Sequence, residues 1–249
     1  MAKEPDYRAN ALIRGLAILQ SFDQRHPEMS LSEIAEAISV TSSAAYRFVV
    51  TLEQEGYLEK RESRYRLAPR VMDLGYRYLG SLDIPDVARL PIDQLRNESG
   101  FSVHLGVLSG LQVVYVGRAL SDRAMVSNVP VGARLPAVTT TMGRMLLCDL
   151  PEAELDRRLA GHTFDHAHPD APQSLAQLKA LLRDDRQRGY LAQPSHHAPG
   201  TFAIAAPLVS RHGHYLGAIN LSGHEMELRP TPEVIAGVLA TAGAISRFL

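Results

Sequence analysis

The feature that most constrains the fold is a succession of short amphipathic segments that ends in a charged hairpin, all before residue 70. In the first segment, Leu12, Leu16, Leu19 and Phe22 recur at helical spacing. This spacing predicts a helix over about residues 9–22 with these four side chains on one apolar face. A polar loop follows before the next segment.

Two further short helices are predicted after that loop. Ser30 and Glu33 have the spacing of a capping box, which marks the start of the second helix, although Ser32 is an alternative N-cap. Hydroxyl side chains at 41–43 offer N-caps for a third helix, which Gly56 ends. The apolar face of the third helix consists of Ala45, Phe48, Val49 and Leu52.

A hairpin is predicted immediately after the third helix. Apolar and charged residues alternate over 57–61 and again over 64–67, which is the period of a strand, and Glu62-Ser63 lies at the tip. The hairpin is locally cationic, since Glu62 is accompanied by Lys60, Arg61, Arg64 and Arg66.

Three helices and a hairpin in this order are typical of a winged helix-turn-helix DNA-binding domain. The third helix would offer short polar side chains and hydrogen-bond donors to base edges, and the hairpin, or wing, would lie on phosphates. The predicted DNA contacts are Ser42, Ser43, Ala44, Tyr46, Arg47 and Thr51 on the helix and Lys60, Arg61 and Arg64 on the wing. A helical interaction module with a solvated wing is the alternative, in which Tyr46 would brace the wing.

Global composition is ordinary for a globular protein. The 249 residues are 45% hydrophobic and the net charge is −1, which excludes a disordered chain and shows no basic excess. A single cysteine, Cys148, excludes an intrachain disulfide. The N-terminus lacks the apolar stretch of a signal peptide and no apolar run is long enough to span a bilayer, so we expect a soluble, cytosolic protein.

The rest of the chain has a mixed α/β pattern. An amphipathic linker helix is predicted to open at Pro69, and the expected division is a DNA-binding domain over 1–68, the linker helix over 69–83 and a second domain over 84–249. Predicted strands in the second domain cover 101–109, 112–118, 124–128, 190–193, 202–209 and 215–222. Predicted helices cover 85–99, 141–147 and 152–159, a segment from Ser174 to Gly189, and a terminal segment that Thr231 caps.

Short motifs lie at residues 11–19, 31–35, 43–47, 51–57, 65–70, 131–136, 141–144, 188–190, 204–207 and 221–223. In type and in order these motifs resemble those of the IclR family of bacterial transcriptional regulators. The resemblance implies an α+β chain with an N-terminal winged helix-turn-helix, a linker helix and a GAF-like effector-binding domain with a central antiparallel sheet. It implies a regulator without a cofactor that binds double-stranded operator DNA as a homodimer or a dimer of dimers and responds to a small-molecule effector.

The resemblance also places the effector pocket. The implied positions are Gly132, Ala133, Gln193, Ala203, Asn220 and Ser222. Backbone N–H groups at 132–133 could hold a carboxylate, or that loop only shapes a turn. The family usually has an acid where this chain has Gln193, cysteine at Ala203 and often serine at Asn220. With fewer carboxylates, we expect an aromatic acid or a related aromatic compound as the effector.

Two other kinds of site remain open. Ser195 and His196 with an aspartate could form a spatially assembled hydrolase site, although no motif positions them. His162, His166 and His168 lie close together, but nothing in their spacing favours a tetrahedral zinc site over a solvated loop.

Overall fold

The computed structural model describes residues 8–122, 128–164, 171–196 and 198–249. The chain forms two compact units, one that ends at Gly80 and one over Ser81–Leu249. The boundary falls within the predicted linker segment 69–83. The predicted strand at 124–128 lies almost wholly outside the described residues, as do His166 and His168.

The first unit contains the three predicted helices and the wing. Its elements are α1 (Asn10–Ser21), β1 (Met29–Ser30), α2 (Leu31–Ala37), α3 (Ser42–Gln54), β2 (Leu58–Arg61), β3 (Arg64–Leu67) and α4 (Val71–Leu79). β2 and β3 are antiparallel, and β1 adds a third strand beside β3. The sequence did not predict β1, because two residues are too short to show a period.

The predicted buried face of α1 is partly wrong. Leu12 and Leu16 are 64% and 45% exposed, whereas Ile18 is fully buried. The N-terminal half of α1 is apolar on more than one side, so its period does not single out the face that packs. Ile18 and Phe22 join the core of this unit, together with Met29, Ile34, Val49, Leu58 and Tyr65.

Capping fixes the start of the next two helices as predicted. The Ser30 hydroxyl accepts from the Glu33 N–H at 3.3 Å, and the Glu33 carboxylate accepts from the Ser30 N–H at 2.6 Å. Thr41 caps α3 by accepting from the Ala44 N–H. At the wing tip Glu62 has φ of 52°, a left-handed conformation that tightens the turn.

Helix α4 forms where the linker helix is predicted, but none of its residues is buried within the chain. Met72 and Tyr76 are 76% and 77% exposed, and Leu74 and Tyr78 are also exposed. Its apolar side is therefore largely exposed in the described part of the chain.

The second unit is built on one six-stranded antiparallel sheet with the strand order β6-β5-β4-β9-β8-β7. Its strands are β4 (Ser102–Ser109), β5 (Gln112–Ala119), β6 (Arg134–Pro136), β7 (Leu191–Pro194), β8 (Thr201–Val209) and β9 (Tyr215–His224). Its helices are α5 (Asp83–Ser99), α6 (Thr141–Leu147), α7 (Glu152–Arg158), α8 (Leu175–Arg188) and α9 (Pro232–Ser246). The predicted strands and helices in the described residues are confirmed, and β6 is an addition.

The sheet is covered on both faces. Consecutive residues of its central strands are buried, as over residues 203–208, which requires packing partners above and below. Helix α6 packs on one face, where Met142 and Met145 join a core with Ala205 and Ala218. In the described part of the chain, no helix is both long and apolar enough to cross a membrane.

Candidate DNA interface and effector site

Helix α3 presents its predicted reading face to solvent. Tyr46 is 52% exposed, and Arg47 is exposed beside it, while Ala45 and Val49 on the opposite side are fully buried. The Thr51 hydroxyl donates to the Arg47 carbonyl at 2.8 Å, so it extends along the same side of the helix. Of the other predicted positions on α3, Ser42 and Ser43 are exposed and Ala44 is half-buried.

The cations of the wing divide into two kinds. Lys60 and Arg61 are exposed, with the Lys60 ammonium 5.6 Å from the centre of the Tyr65 ring. Arg64 instead donates to the Glu33 carboxylate and to the Glu28 carbonyl, both at 2.8 Å. It therefore ties the wing to the start of α2.

Two arginines of the wing, Arg64 and Arg66, have acidic partners that lie outside the wing tip. Arg66 forms an ion pair with Glu59, its cross-strand partner. The pKa of Glu33 lies below its ordinary value, mainly because the Ser30 backbone N–H and hydroxyl bond to it and additionally because Arg64 is near. In the described residues, Arg47 and Arg61 form no ion pair, so they are the arginines of α3 and the wing that stay available to phosphates.

The candidate effector site begins with two rows of residues on one face of the second sheet. Directly paired residues of antiparallel strands point to the same face. Pairing across β7, β8, β9 and β4 aligns Gln193, Ala203, Ser222 and Ser102 in one row. The adjacent row aligns Leu191, Ala205, Asn220 and His104. Four predicted effector residues, Gln193, Ala203, Asn220 and Ser222, are thus brought together.

This face is polar although it is buried. Asn220 and Ser222 are 6% and 3% exposed, and the Ser222 Oγ lies 3.4 Å from Nδ1 of His104. The His104 ring meets the Tyr115 ring edge to face, with centroids 5.6 Å apart. Burial raises the pKa of Tyr115 to about 12, so its phenol stays neutral at physiological pH. Two rings and two hydrogen-bonding side chains therefore share one buried surface.

A buried ion pair borders the same surface. Arg144 of α6 is 3% exposed, and its Nε and Nη2 donate to Asp185 Oδ2 of α8 at 3.1 and 2.5 Å. Burial raises the pKa of Asp185, and the positive charge of Arg144 opposes that rise. The remaining guanidinium nitrogen, Nη1, donates to Gln193 Oε1 at 2.8 Å.

Two amide atoms on this face are buried without a hydrogen-bond partner among the described residues. They are Nε2 of Gln193 and Oδ1 of Asn220. A buried polar group without a partner costs free energy, and such groups in folded proteins call for a specific explanation. Here one unpaired donor and one unpaired acceptor lie on the same surface, as they would in a site that a polar ligand completes.

The loop at Gly132 and Ala133 is held by backbone hydrogen bonds. Gly132 has φ of 91°, which glycine adopts readily. Its N–H donates to the Tyr115 carbonyl at 2.8 Å, and the Ala133 N–H donates to Pro130 at 3.1 Å. Both N–H groups therefore have backbone acceptors in this conformation, as in a loop that shapes a turn, and a contact with a carboxylate stays a prediction. A role of the two residues in effector binding stays a prediction.

Sequence reasoning missed the residues that frame this surface: Ser102, His104, Tyr115, Arg144 and Asp185. The β4–β9 pairing that brings His104 beside Asn220 joins segments more than 100 residues apart. Arg144 lies in a motif that carries the resemblance, but its partner Asp185 has no motif of its own.

The described residues include Ser195, His196 and His162 of the other two kinds of site. The Ser195 hydroxyl accepts from the Ala198 N–H at 3.0 Å within a local turn. No group of three or more His, Cys, Asp or Glu side chains has an arrangement for a metal ion in the part of the chain that the structure covers.

Comparisons with known proteins agree on one family. The model of the bacterial transcriptional regulator IclR C-terminal domain matches residues 76–247, and that of the IclR helix-turn-helix domain matches residues 11–62. The chain is 31% identical over 252 residues to the glycerol operon regulatory protein of Streptomyces coelicolor, covering 96% of both chains.

Solved structures show the same architecture. A transcriptional regulator from Rhodococcus sp. RHA1 superposes with a TM-score of 0.85 at 32% identity, covering 96% of this chain and 98% of that one. An IclR homologue from Microbacterium hydrocarbonoxydans, solved with 4-hydroxybenzoate, has a TM-score of 0.84 at 22% identity, covering 95% and 98%.

These matches confirm the α+β fold and favour a regulator over a hydrolase, since the matched family consists of transcriptional regulators and is not enzymatic. With both family domains present and in order, the chain belongs to the IclR family of bacterial DNA-binding transcriptional regulators.

Proposed function

We propose that this regulator binds its operator through the exposed face of α3 and the wing, and that a small aromatic acid or related compound binds on the polar face of the second sheet. The observation that carries the effector site is the pair of buried, unpartnered amide atoms of Gln193 and Asn220. A ligand that accepts from one and donates to the other would complete both hydrogen bonds.

The proposed DNA contacts are those predicted from the sequence, with Arg47 as the main reader of bases and with Arg64 acting mainly by holding the wing against the start of α2. Arginine can donate two hydrogen bonds to a guanine edge, and Arg47 is exposed in the middle of α3. Arg47→Ala should abolish specific operator binding and leave effector affinity intact, as measured by mobility shift and calorimetry. Arg211→Ala, at an exposed arginine in the β8–β9 loop, is the matched control. Undiminished operator binding by the Arg47 variant would remove it from the reading face.

Three observations support an aromatic acid as the effector. The rings of His104 and Tyr115 line the polar face. The carboxylate that borders this face, Asp185, is already paired with Arg144, so it does not repel an anion. A structural relative has been solved with 4-hydroxybenzoate, a compound of this class.

Calorimetry with aromatic acids and aliphatic 2-oxo acids tests this ligand class. We expect heat from aromatic acids, and Asn220→Ala should weaken their binding without changing DNA affinity in the absence of ligand. Binding of an aliphatic 2-oxo acid with no heat from aromatic acids would contradict the ligand class. An unchanged ligand affinity of Asn220→Ala would contradict the site.

The regulator acts as a dimer or a dimer of dimers in this proposal, because one small domain reads few base pairs and two-fold operators match two-fold proteins. Exposed apolar side chains on α1 and α4, among them Leu12, Leu16, Met72 and Tyr76, support contacts between copies. Sedimentation velocity at micromolar concentration tests the assembly, and a monomer both free and on DNA would refute it.

Effector control follows from linkage in this proposal. A ligand changes operator affinity only as far as it binds two conformations with different affinities. Operator titrations with and without a bound aromatic acid measure that difference directly. Identical operator affinity at saturating ligand would show that the site does not regulate DNA binding.

A further inference from the structure

The orientation of the Gln193 amide is fixed by chemistry. A guanidinium carries five N–H donors and no acceptor, so the amide atom 2.8 Å from Arg144 Nη1 must be the oxygen. The amide nitrogen is then directed away from Arg144. Rotating the amide by half a turn would place two donors against each other in a buried site.

The guanidinium that sets this orientation is itself held rigidly. Arg144 and Asp185 are 3% and 1% exposed, and two nitrogens of Arg144 bond to one carboxylate oxygen. Because the two charges neutralise each other, Gln193 is not needed as a counter-ion. Position 193 therefore needs no charge, and the role of its neutral amide is to present a directed N–H group.

Gln193 presents that N–H group on the buried polar face. Nε2 is buried and has no hydrogen-bond partner among the described residues. Its neighbour in the row is Ala203, which has no atoms beyond Cβ, and the next residue along the row is Ser222. The unpaired acceptor of Asn220 lies in the adjacent row on the same strand as Ser222.

We propose that Arg144 is a positioning residue of the effector site. By holding Gln193 Oε1, it presents Gln193 Nε2 as a fixed donor. The part of the site at Gln193 therefore selects a ligand oxygen that accepts a hydrogen bond, such as a carboxylate oxygen. The inference rests on the proposed effector site. It adds that the accepting oxygen of the ligand lies at Gln193, and that Arg144 determines which atom of the Gln193 amide faces the ligand. We call this preference for an acceptor at Gln193 the polarity of the site.

Gln193→Glu tests the polarity, with Gln193→Met as the matched control. The glutamate can still accept from Arg144, but its second oxygen is an acceptor and repels a carboxylate. The probes are 4-hydroxybenzoate and pyruvate, each paired with its primary amide. By calorimetry we expect Gln193→Glu to lower the affinity for the acid at least about tenfold more than the affinity for its amide. Gln193→Met should lower the affinity for the acid less than Gln193→Glu does.

The outcomes separate this inference from the proposed ligand class. If pyruvate binds in place of 4-hydroxybenzoate but shows the same selective loss in Gln193→Glu, the aromatic class fails and the polarity is supported. Equal losses for acid and amide would overturn the polarity. Binding of neither acid by the unaltered protein would also overturn it, since both carry the oxygen that the Gln193 donor requires.

A double-mutant cycle tests whether Arg144 acts through Gln193. Arg144→Lys should weaken binding of the acid about tenfold in the unaltered protein and little in the Gln193→Met background. An equal loss in both backgrounds would indicate a merely structural role and overturn the assignment. A thermal melt checks that each variant folds, and if Arg144→Lys does not fold, the comparison of acid and amide in Gln193→Glu decides the proposal.

Discussion

Replacing Arg61 by glutamine should reduce the salt dependence of DNA binding, whereas replacing Arg64 by glutamine should change it much less. Both residues lie on the wing, and sequence reasoning assigns both to DNA. In the structure Arg61 is exposed and forms no ion pair with a described residue, while Arg64 is bonded to Glu33 and to the Glu28 carbonyl. The two variants remove the same charge from different environments.

The expected magnitude follows from counter-ion release. Each phosphate contact contributes a slope of about −0.9 to the plot of log affinity against log salt concentration, so two copies of Arg61 on a two-fold site contribute about −1.8. Raising the salt concentration fourfold, from about 50 to about 200 mM, should lower the DNA affinity of both proteins. The factor of loss should be about twelve times smaller for Arg61→Gln than for the unaltered protein.

Fluorescence anisotropy with a labelled duplex at several salt concentrations measures both slopes, with Arg211→Gln as the control. An operator is not required, because phosphate contacts do not depend on sequence. An unchanged slope in Arg61→Gln, or an equal reduction in Arg64→Gln, would refute the division of the wing cations into free and bonded.

Three further predictions concern the folded state. Gly143→Ala should destabilise the protein by about 1–3 kcal/mol in urea unfolding, because an added Cβ would lie 2.3 Å from backbone atoms of Ala137. In the control Gly15→Ala the added Cβ meets nothing within 4 Å, so this variant should be more stable by up to about 1 kcal/mol. Burial, together with the negative charge of Asp185, raises the pKa of the Cys148 thiol to about 12, so mass spectrometry should find no alkylation by iodoacetamide in native protein and complete alkylation in urea. Hydrogen bonds from two arginines hold the pKa of Glu154 at about 2, below its ordinary value of 4.5. The resulting stabilisation of the folded state is present above pH 4.5 and is lost as the pH falls toward 2. Glu154→Gln should therefore show a flatter dependence of Tm on pH in this range.

Local signals in the sequence were enough to locate most elements. The capping box at Ser30 and Glu33, the glycine after α8 and the alternation in the wing each depend on residues a few positions apart, and each feature is present. The buried face of α1 could not be predicted in the same way. Leu12, Leu16 and Ile18 are all apolar, and only packing against α2 and α3 decides which of them is covered.

The effector site was only half predictable. Resemblance to the family indicated Gln193, Ala203, Asn220 and Ser222, but the structure was needed to show that sheet register aligns them. His104 and Arg144 were missed, because the partners that give them a role lie 116 and 41 to 49 residues away along the chain.

The alignment of the two rows also governs how recognition can diverge among related proteins. Each row takes one residue from each of β7, β8, β9 and β4, so a point substitution alters one contact and leaves its neighbours in place. A single inserted residue in β9 would turn Asn220 and Ser222 to the opposite face and bring Ile219 or Leu221 in their place. Within this fold, new effector preferences should therefore arise by replacement at fixed positions, whereas changes of chain length should be confined to the loops between strands.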